Sequence, residues 1–464
     1  MKKIIKLGTF ILLIALISSC SNWIDPDLNI DPDAPASVTM GLLLPSIETD
    51  LAYTLVGGND VARPQSMWMQ QTTGIARQSL AQGTYKFRSN NVSNLWSTIY
   101  ASIGMDVNVL LQQAKEKKSP HFAGVAKILM AYNLGMATDM WGDIPYTEAF
   151  QGKANLTPKF DSQEEIYNTI QSLLDEAIND LSVSSEENKV PLSGDFIYDG
   201  YTREWINAAN ALKARYYIHL IEVDAGNYAK ALNFANKALD GGFKDMKLEW
   251  DNNETGANPL YQFLRDRTGD LVMGKTLIDM MLAINDPRLP AIATFAKDTA
   301  EYRGSGMDVI DKDASLPGPA VASKNSPSFF MMLAELYFIK AEAELAGGDE
   351  AAAKADIKNA MKASMDSYGV DGAAWVDEYY TNNVDNKSGD ELKKELFKQK
   401  YIALFYQQEV WTDFRRSNNI LGLQKNPNAD IDFPARYPYA QSSINYNPNT
   451  PDFGSITNKL WWDR

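Results

Sequence analysis

Ala334-Glu335-Leu336-Tyr337-Phe338-Ile339-Lys340-Ala341-Glu342-Ala343-Glu344-Leu345-Ala346-Gly347-Gly348-Asp349-Glu350-Ala351-Ala352-Ala353-Lys354-Ala355-Asp356-Ile357 is the stretch on which the fold turns. Leu336, Ile339, Ala343 and Ala346 recur at helical spacing and make one face. Gly347-Gly348 breaks the pattern, and a second period starts at Glu350, with Ala353, Ile357 and Ala360 on one side. The spacing predicts a helix over 328–346, a tight turn and a helix over 350–367. An earlier pair looks alike: a helix over 202–223, a Gly226-Asn227 turn, and a helix over 228–239 whose Ala231, Ala235 and Ala238 share a face. Mostly small residues at i, i+4 and i+7 let two helices approach closely, as tetratricopeptide-type hairpins do; a plain antiparallel hairpin gives the same pattern. The two pairs lie far apart in the chain, which predicts hairpins separated by other structure rather than stacked in one array.

Outward from these hairpins, amphipathic periods predict further helices over 94–115, 122–141, 164–181 and 391–414. Asp161-Ser162-Gln163-Glu164 reads as a capping box that opens the third of these. Strand signals are few and short, so the class is all-α, mostly helical. Long stretches rich in Gly, Pro, Asn and aromatic residues lie between the helices, at 56–77, 241–274, 302–327 and 426–464. Loops of this length in a compact chain are functional or disordered, and their aromatic content argues against disorder.

The chain has 464 residues, 45% hydrophobic and 22% charged, with a net charge of −15. That is a globular composition, and its sign repels phosphate backbones, which argues against nucleic-acid binding. One cysteine, Cys20, excludes intrachain disulfides and cysteine zinc sites. Two histidines, His121 and His219, make a histidine triad or a three-histidine metal site improbable. His219 reads as a satisfied helix-face residue and His121 as an exposed neighbour of a cap. Trp96 and Tyr100, four apart, read as a stacked packing pair. Glu335, Glu342 and Glu344 read as buried partners for the guanidinium groups of Arg415 and Arg416. The competing reading is a catalytic carboxylate pair, which would have to converge in a cleft at roughly 5–10 Å.

The N-terminus is an address. Lys2, Lys3 and Lys6 form a basic region, 7–17 is apolar but too short to span a bilayer, and Ile17-Ser18-Ser19-Cys20 resembles a bacterial lipobox. Residues 1–19 are thus expected to be a lipoprotein signal peptide, with Cys20 the lipidated first residue of the mature chain. Acyl chains at ~0.8 kcal/mol per buried CH₂ hold a soluble body on a membrane. The acids of Asp25-Pro26-Asp27-Leu28-Asn29-Ile30-Asp31-Pro32-Asp33 leave open a structural calcium ion. However, Ile30 and Ala36 stand where a calcium loop needs Gly and Glu, and three prolines favour an extended tether over 20–37. No other cofactor is expected, and 38–464 is expected to form a single body.

Several further runs complete a pattern: Trp141-Gly142-Asp143-Ile144-Pro145-Tyr146-Thr147-Glu148, Asn285-Asp286-Pro287-Arg288-Leu289, Lys400-Tyr401-Ile402-Ala403-Leu404-Phe405, Glu409-Val410-Trp411-Thr412-Asp413-Phe414-Arg415-Arg416, Pro434-Ala435-Arg436-Tyr437-Pro438-Tyr439 and the closing Lys459-Leu460-Trp461-Trp462. In this order, after a lipobox, they resemble the SusD/RagB family of outer-membrane nutrient-binding lipoproteins, and the Trp68-Met69-Gln70-Gln71-Thr72-Thr73-Gly74 stretch is similar to its SusD-like branch. The resemblance implies a helical fold with four tetratricopeptide-like hairpins and long ligand- and partner-binding loops. It implies a lipid-anchored protein at the cell surface of a Bacteroidota-type bacterium, with a SusC-like TonB-dependent barrel on which it sits as a lid. It implies capture of oligosaccharides without catalysis; a peptide-binding homologue is the alternative, and a carboxylate-type glycoside hydrolase a further one. Sugar binding needs flat apolar faces with planar polar groups beside them. By that rule the candidate ligand residues are Trp68, Arg77, Tyr85, Trp250, Tyr261, Arg265 and Tyr302.

Overall fold

The computed structural model describes residues 38–463, which places the signal peptide, Cys20 and the acidic tether outside the described residues. From Met40 onward the chain packs around one large apolar core, with a small second cluster at Ile75, Val272 and Ala314. Ten helices carry the architecture, numbered here in chain order: α1 (Met105–Glu116), α2 (Pro120–Trp141), α3 (Gln163–Leu181), α4 (Thr202–His219), α5 (Asn227–Gly241), α6 (Leu333–Ala346), α7 (Glu350–Ser367), α8 (Ala373–Asn383), α9 (Gly389–Ala403) and α10 (Gln408–Arg416). Each of α1 to α7 packs on the next, and α9 closes the row against α6 and α7. Among the described residues no helix is long and apolar enough to cross a membrane.

The small-residue faces explain the stacking. Ala231, Ala235 and Ala238 of α5 and Ala353, Ile357 and Ala360 of α7 are fully buried. The expectation that the two hairpins stand apart is corrected: α5 packs directly on α6, although residues 242–332 lie between them in the chain. The intervening segment loops out and returns, so spatial adjacency is set by the alanine faces and not by chain distance.

Helix ends follow local chemistry. The capping box of α3 uses Ser162 and Glu165, each side chain reaching the other's backbone N–H, one residue later than the spacing predicts. Asp161 is held elsewhere, its carboxylate accepting the backbone N–H groups of Tyr146 and Thr147 at 2.8 Å. The helix expected over 328–346 starts as a strand, β4 (Ser328–Met331), because Ser328, Phe329 and Met331 pair back on β2 (Met246–Leu248). The helix expected over 391–414 is interrupted between α9 and α10, where Tyr406 takes a positive φ of 62°. The run expected over 94–115 contains a π-helical turn, Thr98–Gly104, ahead of α1. Its buried residues explain this: Leu95, Ile99, Ile103 and Val107 recur every fourth position, and a wider turn keeps them on one side.

Two two-stranded ribbons complete the fold. β1 (Thr72–Gly74) pairs antiparallel with β3 (Leu271–Met273), Thr73 opposite Val272, and β2 pairs with β4.

Charged residues of α10 tie the row together from inside. Arg416 meets Glu342 of α6 through two bonds of 2.6 Å and also bonds Asp413, which Lys400 of α9 reaches at 2.9 Å. Glu335 pairs with Arg215 of α4, not with Arg415, and Glu344 pairs with Lys340. Arg415 instead lies flat between the Trp411 and Trp462 rings and donates to the carbonyls of Asp139 and Ala435. Of the three glutamates, then, only Glu342 meets the guanidinium expected for it.

Candidate functional site

His219 of α4 is fully buried, with its Nδ1 3.2 Å from Asp139 of α2 and its Nε2 2.9 Å from Glu409 of α10. The Tyr167 hydroxyl donates to the other oxygen of Asp139. Burial disfavours the imidazolium, but Glu409 and Asp139 outweigh it and raise the ring to about 9. These three residues offer ligand atoms within 4.8 Å of one another. Both ring nitrogens already face carboxylate oxygens, so the arrangement is a protonated imidazole held between two anions, a structural clamp. His121, expected to be exposed, is also buried; its Nε2 lies 2.8 Å from the Val183 carbonyl.

The seven candidate ligand residues divide. Trp68 is fully buried, edge-on to Phe87, Trp411 and Tyr437, and its Nε1 donates to Gln82 O at 3.0 Å. Trp250 is buried and donates to Ser328 Oγ. Their faces are spent on packing, which corrects the expectation of stacking surfaces: a large ring stabilises the core more than an exposed loop. Tyr261 and Arg265 lie together on the surface, where Arg265 pairs with Glu254 and Asp266. Tyr302 packs on Phe295 with ring centroids 4.7 Å apart. Trp96 and Tyr100 do form a packing pair, their ring centroids 4.7 Å apart.

Of the seven, Arg77 lines a surface cleft of 420 Å³. The β1 residues Thr72, Thr73 and Gly74 line it, as does the short helix Arg77–Gly83. Met307 and Ile310 form another part of the wall, and Asn426 and Asn428 of the C-terminal segment complete the lining. Arg77 and Tyr85 flank the short helix with positive φ values of 49° and 62°, costly backbone for residues with a Cβ. Arg77 is held by Asp270 at 2.6 Å through Nε and by the Thr268 carbonyl through Nη2. Tyr85 does not line the cleft. It is buried on Phe433, its hydroxyl accepts the Asn426 N–H at 3.1 Å, and burial pushes that hydroxyl up to about 12. Trp68 holds the same short helix from beneath through Gln82. The cleft thus gathers Arg77 at its surface with Trp68 and Tyr85 as supports; Trp250, Tyr261, Arg265 and Tyr302 do not line it.

Lys86, Thr73, Thr84 and Asn428 were not singled out by the sequence. Thr73 Oγ1 donates to Ser305 O and Asn428 Nδ2 to Met307 O, so both side chains pin the cleft walls while keeping lone pairs open. For Lys86 the sequence signal is the alternation after Thr84, where buried Tyr85 and Phe87 leave Lys86 and Arg88 outward. The combination of two cations, threonine hydroxyls and a primary amide around an open cleft can grip a polar ligand by many weak bonds.

A family model of SusD-like proteins, described as starch-binding and associating with the outer membrane, matches residues 32–440. Among solved structures, the chain is similar to a SusD/RagB family protein from Bacteroides thetaiotaomicron, with 24% identity, a TM-score of 0.75, and coverage of 92% of this chain and 99% of that one. It is similar to a chitin-binding protein at 23% identity and a TM-score of 0.78, covering 92% and 100% of the two chains. It is also similar to a chitin-binding SusD homologue from Flavobacterium johnsoniae at 23% identity and a TM-score of 0.73, covering 92% and 97%. No curated protein matches the chain. At these identities the solved structures speak for the fold, while the family match extends over most of the sequence. The chain therefore belongs to the SusD-like family, a family of binding proteins associated with the outer membrane.

Proposed function

We propose that this protein captures nutrient oligosaccharides at the outer membrane and passes them to a SusC-like TonB-dependent barrel, on which its body acts as a lid. In this reading Cys20 carries the lipid anchor, 20–37 is the tether, and the single body from residue 38 onward binds the cargo. The observation that carries the reading is the 420 Å³ cleft of Arg77, Lys86 and Asn428 on a SusD-like fold, open at the surface and lined by neutral and cationic polar groups. Hydrolysis of a glycosidic bond needs two carboxylates facing each other across the sugar. Among the described residues no Asp or Glu lines this cleft, and Glu335 and Glu342, the sequence's obvious carboxylates, are paired inside the core. This favours capture over cleavage.

Hand-off requires release, so affinities of micromolar to millimolar are expected, roughly −8 to −4 kcal/mol. The test is to pass mixed oligosaccharides and mixed peptides over the immobilised protein while assaying reducing ends. Retained oligosaccharides with unchanged reducing ends support the reading. New reducing ends would make the protein a hydrolase, and retention of peptides alone would make it a peptide-binding member of the same system. Mass spectrometry of the native chain should find Cys20 acylated; a free thiol there removes the anchor from the account.

A further inference from the structure

The chain has 44 basic against 59 acidic residues, so an average patch of its surface is negative. The cleft departs from that average. Arg77 and Lys86 line it, and no carboxylate among the described residues does. Asp270, buried behind Arg77, offsets one of these charges. Lys86 is exposed, with no ion-pair partner among the described residues. The lining therefore carries a net positive charge on a molecule of −15.

The hydrogen-bond inventory leans the same way. Arg77 commits Nε and Nη2 to the protein, and Lys86 Nζ offers three N–H donors to the outside. The acceptors in the cleft are all neutral. Asn426 Oδ1 is already taken by the Asn428 N–H, while the Thr73 and Thr84 hydroxyls each donate to a backbone carbonyl. A neutral sugar donates as often as it accepts, and a site built for it alone gains from carboxylates that take its hydroxyl protons. A cleft with charged donors and only neutral acceptors suits a ligand rich in acceptors.

We infer that the cleft takes glycans bearing anionic groups, uronate carboxylates or sulfate esters, with Arg77 and Lys86 on the anion. This rests on the capture reading and adds the substrate class. Charge-assisted bonds are the stronger ones, and a negative molecule has no general attraction for polyanions, so the selectivity is local.

The test uses the full-length protein in detergent on a glycan array of matched pairs: uronate chains beside their methyl esters, and sulfated chains beside their desulfated forms. The anionic members should bind about tenfold more tightly than their partners. The advantage should shrink as salt rises from about 0.05 to 0.5 M. Lys86→Gln should abolish most of it, and Lys153→Gln, an exposed lysine elsewhere, should not. The pair that separates tells carboxylate from sulfate. Equal binding within every pair, or preference for neutral members, overturns the inference while leaving glycan capture standing. If no glycan binds, or only acidic peptides do, capture of glycans and the inference fall together.

Discussion

His219 concentrates the electrostatics of the interior at one side chain. It is faced by Asp139, Glu409 and the Tyr167 hydroxyl, with the Tyr216 and Trp462 rings packed beside it. Its proton is held up to about 9 in the folded protein against 6.5 for the ordinary group. A raised value means that the contribution is complete below 6.5 and disappears as pH climbs through 9, with a full size of about 3 kcal/mol. His219→Gln should therefore cost stability at pH 6 and lose that cost by pH 10, as read from urea midpoints of both proteins across the range; a constant difference would contradict the clamp. Glu342→Gln removes one anion from Arg416 while Asp413 remains, and should lower unfolding stability by about 3 kcal/mol. This pair was legible in the sequence because Arg and Glu are rarely buried unless matched. Arg415 was not legible: it is satisfied by carbonyls and two indole faces, which leave no charge pattern to read.

At the level of elements, the row of helices depends on close approach. Gly124 of α2 shows how close: a Cβ there would sit 2.6 Å from Leu181 Cγ and 3.0 Å from the Ala177 carbonyl of α3. Alanine at this position gains about 1 kcal/mol of helix propensity, yet must push a backbone carbonyl aside. Gly124→Ala should therefore destabilise the protein by about 1–2 kcal/mol net in chemical unfolding; a more stable variant would show that α2 and α3 are not tightly seated. Helices with 3.6-residue periods, such as α3 and α7, were legible almost to the residue. The break at Tyr406 was hidden because no Gly or Pro marks it anywhere in 391–414. The stacking of α5 on α6 was hidden as well, since alanine faces announce a close partner without naming it.

Across the whole molecule, the fold could be read from its hairpins and ordered runs, but the cleft only in part. Arg77 stood out by charge, whereas Lys86, Thr73 and Asn428 lie in segments without periodicity, brought together by the β1–β3 pairing and the return of the chain past residue 424. Aromatic residues misled for a physical reason: Trp68 and Tyr85 serve the site by bracing its walls from within. Trp68→Ala should cost about 3–5 kcal/mol of stability and weaken ligand binding only as the short helix loosens. Thr73→Val with Asn428→Leu, which deletes the two bonds to the Ser305 and Met307 carbonyls, should cost only about 1–2 kcal/mol of stability and raise the ligand Kd about tenfold, as titration calorimetry would show. The most direct measurement is a crystal structure of the protein with the tightest glycan from the array. The account predicts an uncleaved chain in the cleft, touching Arg77, Lys86 and Asn428. A glycan bound elsewhere on the surface, or one found hydrolysed, would contradict it.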